Sequence, residues 1–252
     1  MINGEGNLSE QKFSLQEYFS KYLTEIRGLK KASVNHYMEG LDSTVSRYLA
    51  QHGLVQKSIF EIRTIEDLQE IKRILLKDKD FHDMDERGHR MYSAAFNRYM
   101  DFADGEWIKA YQNGPEELEK FDEPFPVKEY RLIDQEKRRA RSYIIKKQVE
   151  EASHYLCEFN HDHQTFIVNK TDHQYMEGHH AIPLFKQDSF QNSLDVYANV
   201  VCLCPICHRL LHYGRQSDKE VVLNKIYHDR GERLAKCGIY LSKSEFVKIA
   251  CR

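Results

Sequence analysis

The sequence predicts an α+β protein, with an N-terminal helical bundle and a C-terminal unit of strand, loop, strand and helix closed by a structural zinc site. Three observations carry this. Apolar residues in the first half recur every three or four positions, the mark of helices that bury one face. Four of the six cysteines and eight of the thirteen histidines fall between residues 154 and 212. Within that region the pattern changes from two-residue alternation to one-face helical spacing over a few residues, as a small α+β unit requires.

The helices come first. Leu15, Tyr18, Phe19, Tyr22, Leu23 and Ile26 form an apolar stripe that Gly28 is placed to end. A second stripe runs Tyr37, Leu41, Val45, Tyr48 and Leu49, opened by Ser33 and closed by Gly53. Thr64 with Asp67 resembles a capping box ahead of Leu68, Ile71 and Leu75. Tyr92, Ala95, Phe96, Tyr99 and Phe102 make the fourth. Four amphipathic helices with short connections give a bundle over residues 1–112, whose expected role is target recognition or dimerisation.

Residues 113–127, which begin NGPEELEKFDEPFP, hold three of the five prolines and read as a linker to a second domain at 128–252. That domain opens on a basic run, EYRLIDQEKRRARSYIIKKQVEE, read as a helix. Its Lys137, Arg138, Arg139, Arg141, Lys146 and Lys147 are the candidates for phosphate contact. Residues 1–127 carry 17 basic against 23 acidic side chains, 128–147 carry 8 against 3, and 215–252 carry 9 against 5. The net charge of −2 therefore hides a front half that is acidic and two basic flanks around the His/Cys region. Beyond that region Val221, Leu223, Ile226, Tyr227 and Leu234 suggest one more helix, and Ser242 with Glu245 a last capped one. No apolar run reaches membrane-spanning length, and MINGEGNLSEQ lacks both the basic start and the apolar core of a signal peptide, so a cytoplasmic protein is expected.

Cys204-Pro-Ile-Cys207 is spaced to put two thiolates on one ion. The segment CEFNHDHQTF supplies Cys157, with His163 or His161 as the fourth donor and His163 preferred. Three cysteines and a histidine make a closed, structural zinc set. Cys202, Cys237 and Cys251 read as small buried apolar residues.

The remaining signal is YMEGHHAIPL. Neighbours on a strand face opposite sides, so His179 and His180 cannot both serve a core. A second strand is expected from Asn199 to Leu203, then a helix from Pro205 to His212 with His208 and His212 one turn apart on one face. That helix face can meet a histidine of the first strand around one metal ion.

The order His180, Asn199, His208, with His179 adjacent and His212 a turn later, resembles the HNH, or ββα-metal, endonuclease family. EGHHAIPL followed by DVYANVVCLCPICHRLLHYG is similar to its zinc-stapled branch, common among bacterial restriction endonucleases. The resemblance covers about residues 155–214 and says little of residues 1–127. It implies a ββα-metal nuclease domain in which His180 is the general base that activates water and Asn199 orients it or its loop. It implies His179, His208 and His212 as holders of a catalytic divalent ion, with His212 alternatively on the scissile phosphate. Family members carry Asp where this chain has His179 and Asn where it has His208, so Mg²⁺ or Mn²⁺ is expected, with Ni²⁺ or Zn²⁺ also compatible. Glu177 reads as a support rather than a catalytic group. Double-stranded DNA is the implied substrate, and a homodimer is the simplest way to cut both strands.

The chemistry agrees: a neutral imidazole can accept a water proton near pH 7, and a cation stabilises charge on the phosphate and leaving oxygen. A local bend of the strand is expected to aim His179 at the ion and His180 at the water. The competing reading is a non-catalytic zinc-containing DNA-binding module, which shares the cysteines but leaves the histidines unexplained. A zinc deaminase needs H-x-E upstream of P-C-x-x-C, which this chain lacks.

Overall fold

Residues 14–111, 114–125 and 142–251 are described by the computed structural model, with the backbone alone of 130–133 and 136–139. The first apolar stripe becomes α1 (Ser14–Lys21), which widens into a π-helical turn over Tyr22–Ile26 and stops at Gly28, whose φ of 62° only glycine adopts at little cost. α2 (Lys31–Glu39), a second π-helical stretch (Gly40–Val45) and α3 (Ser46–Gln51) form one continuous rod that starts at Lys31, before the Ser33 expected to open it. α4 (Ile65–Leu75) begins where the Thr64 hydroxyl accepts from the Asp67 N–H at 3.1 Å. α5 (Lys79–Arg87), capped by Asp78, has no counterpart in the sequence reading, because its buried face holds little beyond Phe81. α6 (Met91–Ala103) carries the fourth stripe, and Tyr99 and Phe102 pack on Phe19 with ring centroids 5.2 and 5.7 Å apart.

The segment expected as a linker is packed. It holds α7 (Gly114–Glu119), and Leu118, Phe121 and Phe125 are buried. Asp122 accepts a two-pronged hydrogen bond from Arg233, Nε at 2.6 Å and the second nitrogen at 3.1 Å, with both side chains out of solvent. Proline content marked this stretch as irregular, and its aromatic residues nonetheless bind it to the core.

The basic run also departs from expectation. It forms an antiparallel hairpin, β1 (Tyr130–Ile133) with β2 (Glu136–Arg139), before α8 (Tyr143–Ala152) begins at Ser142. Tyr130, Leu132 and Ile133 favour a strand, and the Ser142 hydroxyl, accepting from the Ile145 N–H at 3.2 Å, starts the helix late.

β3 (Glu177–His180) pairs antiparallel with β4 (Val200–Leu203), and α9 (Pro205–Tyr213) lies over one face of this hairpin. α8 packs on the other face, where a β-carbon added to Gly178 would sit 2.8 Å from Lys146 Cβ. α10 (Gln216–Lys236) ends at Gly238, with φ 72°, and α11 (Lys243–Ala250) starts with the Ser242–Glu245 capping box the sequence predicts. Among the described residues no helix is long and apolar enough to cross a membrane.

The two halves share one apolar core. Its seam is Tyr197, just before β4. Tyr18 of α1 stacks on the Tyr197 ring at 4.2 Å and its hydroxyl accepts the Tyr197 N–H at 3.2 Å. The Tyr197 hydroxyl donates to Gln148 of α8, whose amide donates to the Phe102 carbonyl of α6 at 2.6 Å.

Candidate functional site

Each half of the Cys/His set is built by a short local device. Cys204 caps α9, its sulfur accepting from the Cys207 N–H, and Pro205 occupies the first helical position, where a missing N–H does no harm. Cys157 follows α8 through two left-handed residues, His154 (φ 50°) and Tyr155 (φ 51°), that reverse the chain. The next residue, Glu158, locks that reversal: its carboxylate accepts from the Ser153 hydroxyl (3.1 Å), the Cys202 N–H (2.8 Å) and the Arg230 guanidinium (2.6 Å).

The donor atoms of Cys157, His163, Cys204 and Cys207 all lie within 4.8 Å of one another. His163 Nδ1 is 3.4 Å from both Cys204 Sγ and Cys207 Sγ. His161 is exposed and outside the group, which His163 completes. The Cys207 thiol donating to it, then the backbone N–H groups of Cys204 and Asn160, pull the Cys157 thiol down to about 4, while the Cys207 thiol is pushed up by that same bond. Three sulfurs and one imidazole nitrogen at this spacing fit a four-coordinate ion such as zinc. Cys202 and Cys237 are buried, and burial raises both thiols. Cys251 is half-buried.

The second group is all histidine. Donor nitrogens of His179, His208 and His212 lie within 4.8 Å of one another, and the three rings stand nearly edge-on with centroids 4.8–5.1 Å apart. His179 comes from the face of β3 turned to α9, and His208 and His212 are successive turns of α9. Glu177 sits two residues before His179, hence on the same face. Its carboxylate accepts from His208 Nδ1 and from the Tyr175 hydroxyl (3.0 Å). That bond fixes the His208 tautomer and leaves Nε2, 3.2 Å from His212 Nε2, to the shared space. Burial, then the neighbouring His208 and His212, holds His179 well below the usual imidazole range, and burial lowers His208 as well, so both keep the neutral form a metal needs.

His180 is not part of this group. The β3–β4 register runs unbroken through His179↔Val201 and His180↔Val200, so the expected bend is absent and the two imidazoles occupy opposite faces. Pairing continues past the strand end, where Ala181 N–H donates to the Asn199 carbonyl at 2.9 Å. His180 is 7% exposed and its Nε2 lies 2.9 Å from Asp195 Oδ1. Asp195, 4% exposed, also accepts from the Ser142 N–H at 3.2 Å through Oδ2. Sequence reasoning missed Asp195; an acid between a polar loop and Asn199 is its one trace in the chain.

Asn199 is fully buried, and its side chain serves the backbone. Its Oδ1 accepts from Ile182 N–H (2.8 Å), and its amide donates to the carbonyls of Ile182 and Leu194 (both 2.9 Å). It closes the loop between the strands and so places Asp195; these bonds direct it to the loop and away from a metal.

Of the basic candidates, Lys146 and Lys147 lie on α8, and the charge of Lys146 reaches both His179 and His208. Lys137, Arg138 and Arg139 belong to β2 rather than to a helix, and Arg141 lies outside the described residues. His154 and His228 are exposed, whereas His173 is half-buried under the Tyr155 ring, 3.6 Å away and nearly parallel.

No protein-family model matches the chain. One curated relative is the type IV methyl-directed restriction enzyme EcoKMcrA of Escherichia coli strain K12, 34% identical over 82 residues. The match takes in 32% of this chain and 27% of the relative, so the chain spans about a quarter of that protein's length.

Proposed function

We propose that this protein is a metal-dependent DNA endonuclease of the HNH, ββα-metal type, with a restriction or defence role. The observation that carries the reading is the convergence of His179, His208 and His212 on one face of the β3–β4 hairpin, with a buried His180–Asp195 pair on the other. The likeness to a restriction enzyme points the same way.

A divalent ion held by His179, His208 and His212 would supply positive charge to the phosphate and the leaving oxygen. The all-imidazole set suits Ni²⁺ or Zn²⁺ better than the Mg²⁺ or Mn²⁺ first expected. Glu177 keeps His208 turned toward that ion. His180 gives its Nε2–H to Asp195 and, once the end of β3 turns its ring toward the ion's face as DNA binds, would take a proton from the attacking water through Nδ1. Asp195 then balances the charge of the imidazolium. Asn199 holds the loop that carries Asp195, and Lys146 would meet the phosphate backbone beside β3. Cys157, His163, Cys204 and Cys207 would hold a structural zinc, and a homodimer would provide the two active sites a double-strand break needs.

Plasmid DNA, unmodified, methylated or hydroxymethylated, is to be incubated with the protein and Mg²⁺, Mn²⁺, Ni²⁺ or Zn²⁺. Parent protein is expected to cut at least one substrate, and His180→Ala to cut none while keeping its fold and zinc content. Equal cutting by His180→Ala removes His180 from the mechanism. No cutting by the parent on any substrate leaves the non-catalytic zinc module as the better reading.

A further inference from the structure

Between His163 and β3 the chain makes a short hairpin, residues 165–175, tied to the body of the fold by the stack of His173 on Tyr155. It is firmly built. Thr165 donates its N–H to Gln174 Oε1 (2.7 Å) and its hydroxyl to the Tyr175 carbonyl (2.8 Å). Tyr175 N–H donates to the Phe166 carbonyl (2.9 Å), Val168 N–H to that of His173 (3.0 Å), and Ile167 pairs with Gln174. Lys170, at φ 64°, makes the turn. One end is fixed by the Cys157–His163–Cys204–Cys207 group and the other by β3.

What this rigid piece displays is apolar. Phe166 is 64% exposed and Ile167 is 56% exposed. Consecutive residues of an extended strand face opposite sides, so each is exposed on its own face of the hairpin. Two large exposed apolar side chains on one short strand suit a partner.

Their position indicates which one. The Phe166 ring stacks on Tyr175 at 5.0 Å and 14°, the Tyr175 hydroxyl donates to Glu177, and Glu177 holds His208. The charge of Arg209 acts on Tyr175 and on His208, and that of Lys146 on His179 and His208. Each of these cations lies about 6 Å from an exposed ring, Lys146 at Tyr143 (5.9 Å) and Arg209 at Tyr213 (6.0 Å). A protein partner would be met by a continuous apolar patch. Here one exposed ring at the foot of the hairpin stands beside separated cations and further rings, which suits stacked bases joined by phosphates.

We propose that Phe166 enters between stacked base pairs of duplex DNA whose backbone lies at the three-histidine group, with Ile167, on the opposite face of the strand, against the groove. The proposal rests on the nuclease reading and adds to it how the duplex is gripped and bent.

Full-length protein carrying Phe166→Trp reports the contact directly, because the chain's single tryptophan, Trp107, is half-buried against Tyr22 and Phe121 and serves as the internal reference. Binding is followed by anisotropy of a labelled 40-base-pair duplex, and the indole by its emission and its access to acrylamide. The expected result is at least twofold quenching and loss of acrylamide access on saturation with duplex, with the parent's emission unchanged. Phe166→Ala with Ile167→Ala is expected to weaken duplex binding on the order of tenfold, with zinc content and melting temperature retained. Duplex binding that leaves the new indole emissive and accessible overturns the insertion and spares the nuclease reading. The same holds if the double alanine variant binds duplex as the parent does, or changes only the oligomeric state, which would make this pair a contact between copies. Absence of any duplex binding by the parent overturns both.

Discussion

Asp195→Asn isolates the group on which the proposed proton transfer depends. The substitution preserves shape, so one oxygen can still accept the Ser142 N–H now bonded at 3.2 Å. The amide nitrogen then faces His180 Nε2, which sits 2.9 Å from the present carboxylate. An amide donates where a carboxylate accepts. His180 must then carry its proton on Nδ1, and the basic lone pair turns away from the water. Loss of a buried charge-assisted bond amounts to about 1.5–3 kcal/mol, roughly a 10- to 150-fold effect, and the wrong tautomer extends it to about 10²–10⁴ in rate. Single-turnover nicking at saturating DNA reads this number, with zinc content and thermal melting as controls for the fold. Combining Asp195→Asn with His180→Ala should lose no more than His180→Ala alone, since both act through one imidazole. Nicking by Asp195→Asn within threefold of the parent would refute the assignment of His180 as the base.

Three further outcomes follow from contacts outside that pair. Asp122→Ala leaves the 4%-exposed Arg233 charge buried without its partner and is expected to cost about 3–5 kcal/mol, read as a lower urea midpoint; a midpoint unchanged from the parent would show that the expected linker does not hold the halves together. Cys207→Ser removes one donor of the Cys157–His163–Cys204–Cys207 set, and elemental analysis should find at least half of the bound zinc gone, with a melting temperature lower by several degrees. Burial pushes the Glu150 carboxyl up to about 7 while it accepts the Gly178 N–H at 2.7 Å. Its folded pKa lies above the unfolded one, so stability is greatest below about pH 4.5 and falls as pH rises through about 7, by at most about 3 kcal/mol. Glu150→Gln keeps an acceptor for Gly178 and should flatten that slope between pH 5 and 8; an unaltered slope would assign it to other groups.

Local rules made much of the site readable. The Cys204–Cys207 spacing, the one-turn separation of His208 and His212 and the strand alternation at His179 each specify geometry within a few residues, and the structure brings those donors together. Caps at Thr64 and Ser242 and the stop at Gly28 are local in the same sense. What escaped was long-range. Asp195 meets His180 only because Asn199 folds the intervening loop, and no spacing of residues announces that contact. The proline-rich stretch looked irregular because its anchor, Arg233, lies 111 residues away. The basic run was misjudged for a different reason: charge was read where Tyr130, Leu132 and Ile133 should have decided for a strand. The bend expected between His179 and His180 came from assuming that the ion and the attacking water are met from one side of the strand.

Tyr197 gives the architecture a practical limit. It lies between Asp195 and Asn199 in the chain, and its backbone and hydroxyl are held by Tyr18 and Gln148, one from each half. The C-terminal half is therefore not a cassette. Moved onto another N-terminal domain without α1, it would lose the clamp on the loop carrying Asp195. Any graft of this half has to bring Tyr18 with it or replace the ring by another of the same reach. A change of front half during evolution would face the same requirement, so the two halves are constrained to diverge together.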